Sequence, residues 1–266
     1  MSANIHINKI KKLQKIINKK FNTLLSRLNL AISDKNSISI ISNINYLDNT
    51  YPFPKIILGG KSLRRVLISA GIHGDEPASV ETICKFLETE KYRAYLEKWQ
   101  ITILPCVNPY GFENNTRENY SKKDLNRSFK EFSPPIEIQL VKSVIKPSHF
   151  DLTLELHEDI DSHGYYLFQK SNKPNGLEYG MQIINSVKKI IPINLNETID
   201  DMCAEKGIIH RIKNINEMEW WPMAGYSLAM NCGHCFTLET PTKLPLSTRV
   251  DAHLEALDSA LLNYPT

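Results

Sequence analysis

Four apolar runs, separated by stretches of helical periodicity, constrain this chain more than any other feature. Arg65 to Ala70, Gln100 to Val107 and Asp151 to Leu156 read as strands, with Cys235 to Leu238 as a fourth. A helix opens at Pro77, where the missing N–H would have no helical partner anyway, and Val80, Ile83, Cys84 and Leu87 form its apolar stripe. Residues 136–146 and 177–191 are further helical candidates. A last helix runs from about Thr248 to Leu262, with Ser247 as its N-cap and Val250, Leu254, Leu257 and Leu261 facing inward. Ser37 to Leu47 and Lys55 to Leu58 suggest edge strands joined by a turn at Pro52 and Pro54. Strands alternating with helices predict an α/β fold with a mixed, mostly buried central sheet flanked by helices.

The residues that follow those strands carry chemistry. His73 follows the first, Asn108 the second, His157 ends the third and Glu239 ends the fourth. In open α/β sheets ligands bind outside the carboxyl ends of the strands, so four functional groups fall at one edge. His73 and Glu76, three residues apart, can aim at one ion from a tight loop, and His157 can complete a set of three. Three nitrogen and oxygen ligands with a fourth position left open is the usual catalytic zinc arrangement. The helix-borne HExxH pattern is absent.

His73 and Glu76 are an ordinary pair at an ordinary spacing; their company gives them weight. They are followed in order by Asn108-Pro109-Tyr110-Gly111, Arg117, Asp124-Leu125-Asn126-Arg127, Leu156-His157 and Thr237-Leu238-Glu239-Thr240. This order, over roughly residues 64 to 241, resembles the carboxypeptidase A superfamily of zinc hydrolases, which also contains aspartoacylase and succinylglutamate desuccinylase. The resemblance implies one zinc ion per chain, held by His73, Glu76 and His157. It implies that Asp124 hydrogen-bonds the first zinc histidine and that Arg117 polarises the scissile carbonyl. Asn126 and Arg127 would hold a substrate carboxylate, and Glu239 would be the catalytic carboxylate. These residue types suit amide hydrolysis on chemical grounds as well. A metal acidifies water, a carboxylate relays the proton, and a fixed cation stabilises charge that appears only in the transition state.

Composition sets the outer limits. With 266 residues, 42% hydrophobic and 23% charged, the chain can bury a sizeable core, and a net charge of +3 does not imply a nucleic-acid partner. Lys9, Lys11, Lys12, Lys15, Lys19, Lys20 and Arg27 crowd the first thirty residues, interleaved with Ile10, Leu13, Ile17, Phe21, Leu24, Leu25 and Leu28 at helical spacing. Residues 1–35 therefore read as a basic amphipathic helical extension to a catalytic domain at 36–266. That helix could dock on the protein's own body, bind a partner or membrane surface, or fray. No apolar stretch is long enough to span a membrane, which points to a cytoplasmic location.

Five scattered cysteines do not form a secreted disulfide framework. Cys232-Gly233-His234-Cys235 matches a CxxC redox motif but runs into a strand rather than opening a helix, so buried structural thiols fit better. Glu158 and Asp159 are candidates for meeting a cationic substrate group, and Glu155 for a buried polar shell. The mobile tyrosine of the superfamily has no clear counterpart among Tyr165, Tyr166 and Tyr226, and His163, His210 and His234 read as structural or exposed. Aspartoacylase-like enzymes carry a further β-rich domain after the catalytic glutamate, whereas here 27 residues follow Glu239. That favours a metallocarboxypeptidase or peptide amidase acting on a small peptide, possible murein peptides included, over the alternative of N-acyl amino acid deacylation. A non-catalytic binding protein and a thiol oxidoreductase complete the set of readings.

Overall fold

The computed structural model describes residues 19–34, 37–46, 49–60, 64–173, 176–210 and 215–265. Its centre is an eight-stranded sheet in the order β1-β2-β4-β3-β5-β10-β6-β9. The strands are β1 (Ile38–Tyr46), β2 (Asn49–Leu58), β3 (Arg64–Ser69), β4 (Trp99–Leu104), β5 (Leu152–Asp159), β6 (Tyr166–Ser171), β9 (Ile208–Ile209) and β10 (His234–Pro241). Strands β7 (Thr198–Ile199) and β8 (Met202–Cys203) form a separate hairpin. The four middle strands, β4-β3-β5-β10, run parallel, while β2 and β6 join them antiparallel on either side. The sheet is thus mixed, and β5 and β10 are buried along nearly their whole length, as parallel strands covered on both faces must be.

The helices are α1 (Lys19–Ala31), α2 (Pro77–Glu88), α3 (Pro109–Asn114), α4 (Ile136–Ile145), α5 (Gly176–Val187), α6 (Met223–Ala229) and α7 (Leu246–Leu262). Helix α1 is the described part of the basic segment; residues 1–18 lie outside the described residues. Phe21, Leu24 and Leu28 of α1 are buried, and Arg27 grips Glu81 and Glu88 of α2, each at 2.6 Å. The Glu113 carboxylate accepts from the backbone N–H of Lys20 and Phe21 at 3.2 and 2.7 Å. The described part of the helix therefore docks on the body of the protein. Among the described residues no helix is long and apolar enough to cross a membrane.

Two local expectations fail for physical reasons. Pro52 and Pro54 do not make a turn; they lie inside β2, paired with Asn43 and Ile40 of β1. Strand β2 meets β4 only from Ile56 to Leu58, so at both prolines the other edge carries no ladder and the missing N–H costs nothing there. Helix α7 starts at Leu246 with Pro245 at the cap position, which leaves Ser247 inside the first turn.

Candidate active site

The loop after β3 is held by close backbone packing. A Cβ on Gly74 would fall 1.8 Å from the carbonyl carbon of Gly111, so only glycine allows this loop to lie against α3. Gly74 N–H donates to Thr116 O at 3.0 Å. The Ser79 hydroxyl donates to Glu76 O at 2.7 Å and accepts from Gly71 N–H at 3.2 Å, folding the loop back onto α2. His73 and Glu76 are presented from this staple, both buried.

His157 arrives from the carboxyl end of β5, and candidate ligand atoms of His73, Glu76 and His157 lie within 4.8 Å of one another. The Glu76 carboxylate sits between the histidines, 2.6 Å from His73 Nδ1 and 3.0 Å from His157 Nδ1. Burial alone would raise the Glu76 carboxyl, yet the charges and hydrogen bonds of His73 and His157 bring it down to about 2. His157 is shifted down by burial, whereas the Glu76 charge and the Asp124 hydrogen bond outweigh burial and raise His73. Two imidazole nitrogens and a carboxylate oxygen, buried and convergent, fit a divalent metal of the zinc type.

Asp124 Oδ1 lies 3.1 Å from His73 Nε2, on the far side of the ring from Glu76. The Arg117 guanidinium forks onto Asp124 Oδ2 through Nε and Nη2 at 3.1 and 3.0 Å, and its Nη1 reaches toward Glu76 Oε1 at 3.5 Å. One carboxylate therefore orients both the histidine and the arginine. The loop between them is pinned by Asn119, whose Oδ1 accepts from Ser121 and Lys123 N–H and whose Nδ2 donates to buried Glu137 at 3.1 Å.

Asn126 and Arg127 form a short 3-10 turn next to Asp124. Asn126 Oδ1 accepts from Met223 N–H at 2.9 Å, which leaves its amide nitrogen as the donor to the cavity. The Arg127 guanidinium lies 3.8 Å over the Trp220 ring, and its Nη1 donates to Asn126 O at 3.3 Å. Glu239 is 8% exposed and pairs in register with His157 across the β5–β10 ladder. Burial first, then the charges of Glu76 and Asp159, hold its carboxyl well above the ordinary carboxylate range. His73, Glu76, Arg117, Asn126, Arg127, His157 and Glu239 all line one cavity of about 630 Å³. Asp124 stands behind it.

Several secondary expectations resolve differently. Glu158 borders the cavity, but its side chain is fully buried, ion-paired with Arg249 and hydrogen-bonded to Ala78 N–H at 2.6 Å, so its carboxylate is already engaged within the protein. Asp159 does line the cavity, accepting from the Tyr166 hydroxyl at 2.9 Å. Of the three tyrosines, Tyr166 alone lines the cavity. Glu155 is buried with neither carboxylate oxygen partnered among the described residues, and burial lifts its pKa well above the ordinary value. Cys232 and Cys235 are both buried and lead into β10 rather than a helix; the Cys235 thiol is pushed up by its contact with Cys232 and by burial. His163 is exposed, His210 partly buried and His234 fully buried, all outside the three-residue cluster. Sequence reading missed β6, which supplies Tyr166 and Phe168 to the cavity floor, and Trp220, whose role becomes visible only through Arg127.

This fold recurs in several solved structures. A Shewanella amazonensis protein classed by inference as a metallopeptidase superposes with a TM-score of 0.79 at 20% identity, covering 92% of this chain and 93% of that one. A similar protein from Shewanella baltica gives 0.77 at 20% identity, over 92% of both chains. A metallo-carboxypeptidase from Pseudomonas aeruginosa, in complex with (2-guanidinoethylmercapto)succinic acid, gives 0.67 at 16% identity, covering 92% of this chain and 68% of that one. No curated protein sequence matches this one. The sequence profile named Succinylglutamate desuccinylase/Aspartoacylase catalytic domain matches residues 62–240, and the chain belongs to that family. The match falls on the branch of the superfamily that the short carboxyl-terminal segment had disfavoured.

Proposed function

We propose that the protein is a zinc-dependent hydrolase that cleaves an amide bond beside a carboxylate-bearing residue, as a metallocarboxypeptidase or peptide amidase. The observation that carries this reading is the shared cavity: His73, Glu76 and His157 converge at its inner wall, flanked by Glu239, Arg117 and Arg127. Zinc, when bound, would acidify a water molecule and polarise the scissile carbonyl. Glu239 takes up the water's proton and returns it to the leaving amine, a task suited to a buried carboxyl whose proton affinity is raised above the ordinary carboxylate range. Arg117, oriented by Asp124, stabilises negative charge developing on the carbonyl oxygen. Arg127, braced by Trp220, and the Asn126 amide hold the substrate carboxylate in a planar fork. The ligand of the Pseudomonas relative is by name a succinic acid, which agrees with a carboxylate-binding role for this wall.

A second reading, N-acyl amino acid deacylation, is favoured by the family to which the chain belongs. Both readings use the same site, and a screen separates them. The zinc-loaded protein is offered peptides with free carboxyl termini, N-acyl amino acids and murein tripeptides. Turnover confined to peptides supports the first reading and turnover confined to acyl amino acids the second. Failure on all three with zinc bound overturns hydrolysis.

A further inference from the structure

Helix α2 begins immediately after a metal-ligand candidate, and its cap is unusual. Glu76 occupies the N-cap position, where a side chain ordinarily accepts from the second or third backbone N–H of the helix. Its carboxylate makes no such bond, because it is turned to His73 and His157. The free donor of the first turn is instead taken by a residue from another element: Glu158 Oε1 accepts from Ala78 N–H at 2.6 Å. Glu158 is adjacent to His157 and points to the opposite face of the strand, as successive strand residues must.

The other oxygen of Glu158 pairs with Arg249 Nη1 of α7, whose Nε donates to Leu244 O at 2.9 Å. One helical turn further on, His253 Nε2 lies 3.1 Å from the carbonyl oxygen of His157 and 3.2 Å from Thr240 Oγ1. The Glu158 side chain is fully buried and that of Arg249 is 11% exposed, so the pair is held out of water. Arg249 and His253, on one face of α7, thus grip two consecutive residues of β5.

We infer that Glu158, backed by Arg249 and His253, is a positioning residue for the metal centre. It acts as a surrogate cap for α2, freeing the Glu76 carboxylate to face the histidines, and it fixes the start of α2 to the end of β5. The distance between Glu76 and His157 is thereby set by one carboxylate that is not itself in the His-Glu-His cluster. This inference rests on the ligand assignment proposed above. In the absence of Glu158 the α2 N-terminus would compete for the Glu76 carboxylate, at the expense of metal affinity.

Zinc affinity, measured by competition with a chromophoric chelator on the full-length protein, tests this without reference to turnover. E158A is expected to weaken zinc by about 10-fold or more, in the range seen when partners of metal ligands are removed. E158Q, which keeps an acceptor for Ala78, is expected to fall between E158A and the wild type, and R249K to stay near the wild type. The d–d absorption of the cobalt-substituted E158A protein should shift, reporting altered geometry. A folded E158A protein with a lowered melting temperature but wild-type zinc affinity and cobalt spectrum would show a merely structural role and overturn the inference. Should E158A not fold, E158Q and R249Q decide: both must weaken zinc, and wild-type affinity in both overturns it. Failure of the wild type itself to bind zinc would instead overturn the ligand assignment.

Discussion

Strands β5 and β10 run side by side, and their two ends use similar residues to opposite effect. At the carboxyl end His157 and Glu239 open onto the cavity, with Glu76, Arg117 and Asp159 close enough to move their proton affinities. At the amino end His234, Cys232 and Cys235 are sealed in the core, away from that cavity. His234 Nδ1 meets the Ser171 hydroxyl at 2.8 Å, and its ring stands edge-on to Tyr179 and Tyr264. Residue type therefore predicts chemistry poorly on this strand pair. What separates the ends is access to a cavity and convergence of charge: at the amino end the groups are enclosed by the core and by one another.

The contrast is broken most directly at Glu239. Glu239→Gln should lower kcat by about 10^3-fold, within the span attributed to a positioned acid–base group, while zinc content measured by mass spectrometry stays at one ion per chain. Loss of zinc together with activity would make Glu239 a ligand rather than a base. Arg127→Ala should act mainly on binding, raising KM by about 10- to 100-fold for carboxylate-bearing substrates and leaving amidated analogues nearly unchanged, since a charge-assisted pair contributes about 1.5–3 kcal/mol. Equal losses on both substrates would remove the clamp from the mechanism.

At the sealed end the expected effects concern stability. Burial, with the Lys173 charge, lowers the His234 pKa from 6.5 to about 4. Between those values the unfolded chain binds the proton and the folded protein does not, so His234 makes stability fall as pH drops from about 6.5 toward 4. His234→Gln should flatten that slope in urea titrations run at pH 4.5 and 7.5; an unchanged slope would mean that the imidazole is protonated in the fold. The smallest effect is expected at the thiols. Cys232→Ala with Cys235→Ala should leave kcat/KM within about 2-fold, and alkylation of these thiols at neutral pH should be slow, since neither is exposed. A fall of an order of magnitude would restore the redox reading.

Much of this contrast was readable before the fold was known, and the exceptions share a cause. The strand-end positions of His73, His157 and Glu239 follow from local apolar patterning, and the order of motifs picks out the same three residues, His73, Glu76 and His157, that the fold brings together. Glu158 was legible only as a charge beside a ligand; its partners Ala78 and Arg249 lie 80 and 91 positions away, and nothing local marks a cap donated from another strand. The strand β6 was missed because Tyr166–Ser171 mixes apolar and polar residues without a strict period, and Trp220 because stacking on Arg127 has no sequence spacing. Pro52 and Pro54 misled for a related reason: their tolerance depends on where the neighbouring strand stops. Short-range rules locate elements, whereas contacts across elements decide what those elements hold.

Gly74 carries a last consequence. It contributes no side chain to the site, yet its Cα hydrogen faces the backbone of Gly111 at a separation that admits nothing larger. Even an alanine there would wedge apart the loop bearing His73 and the helix leading to Arg117, displacing both side chains together. A position with no chemistry of its own is therefore constrained by the space where no atom can be, beside a histidine constrained by what its own atoms contact.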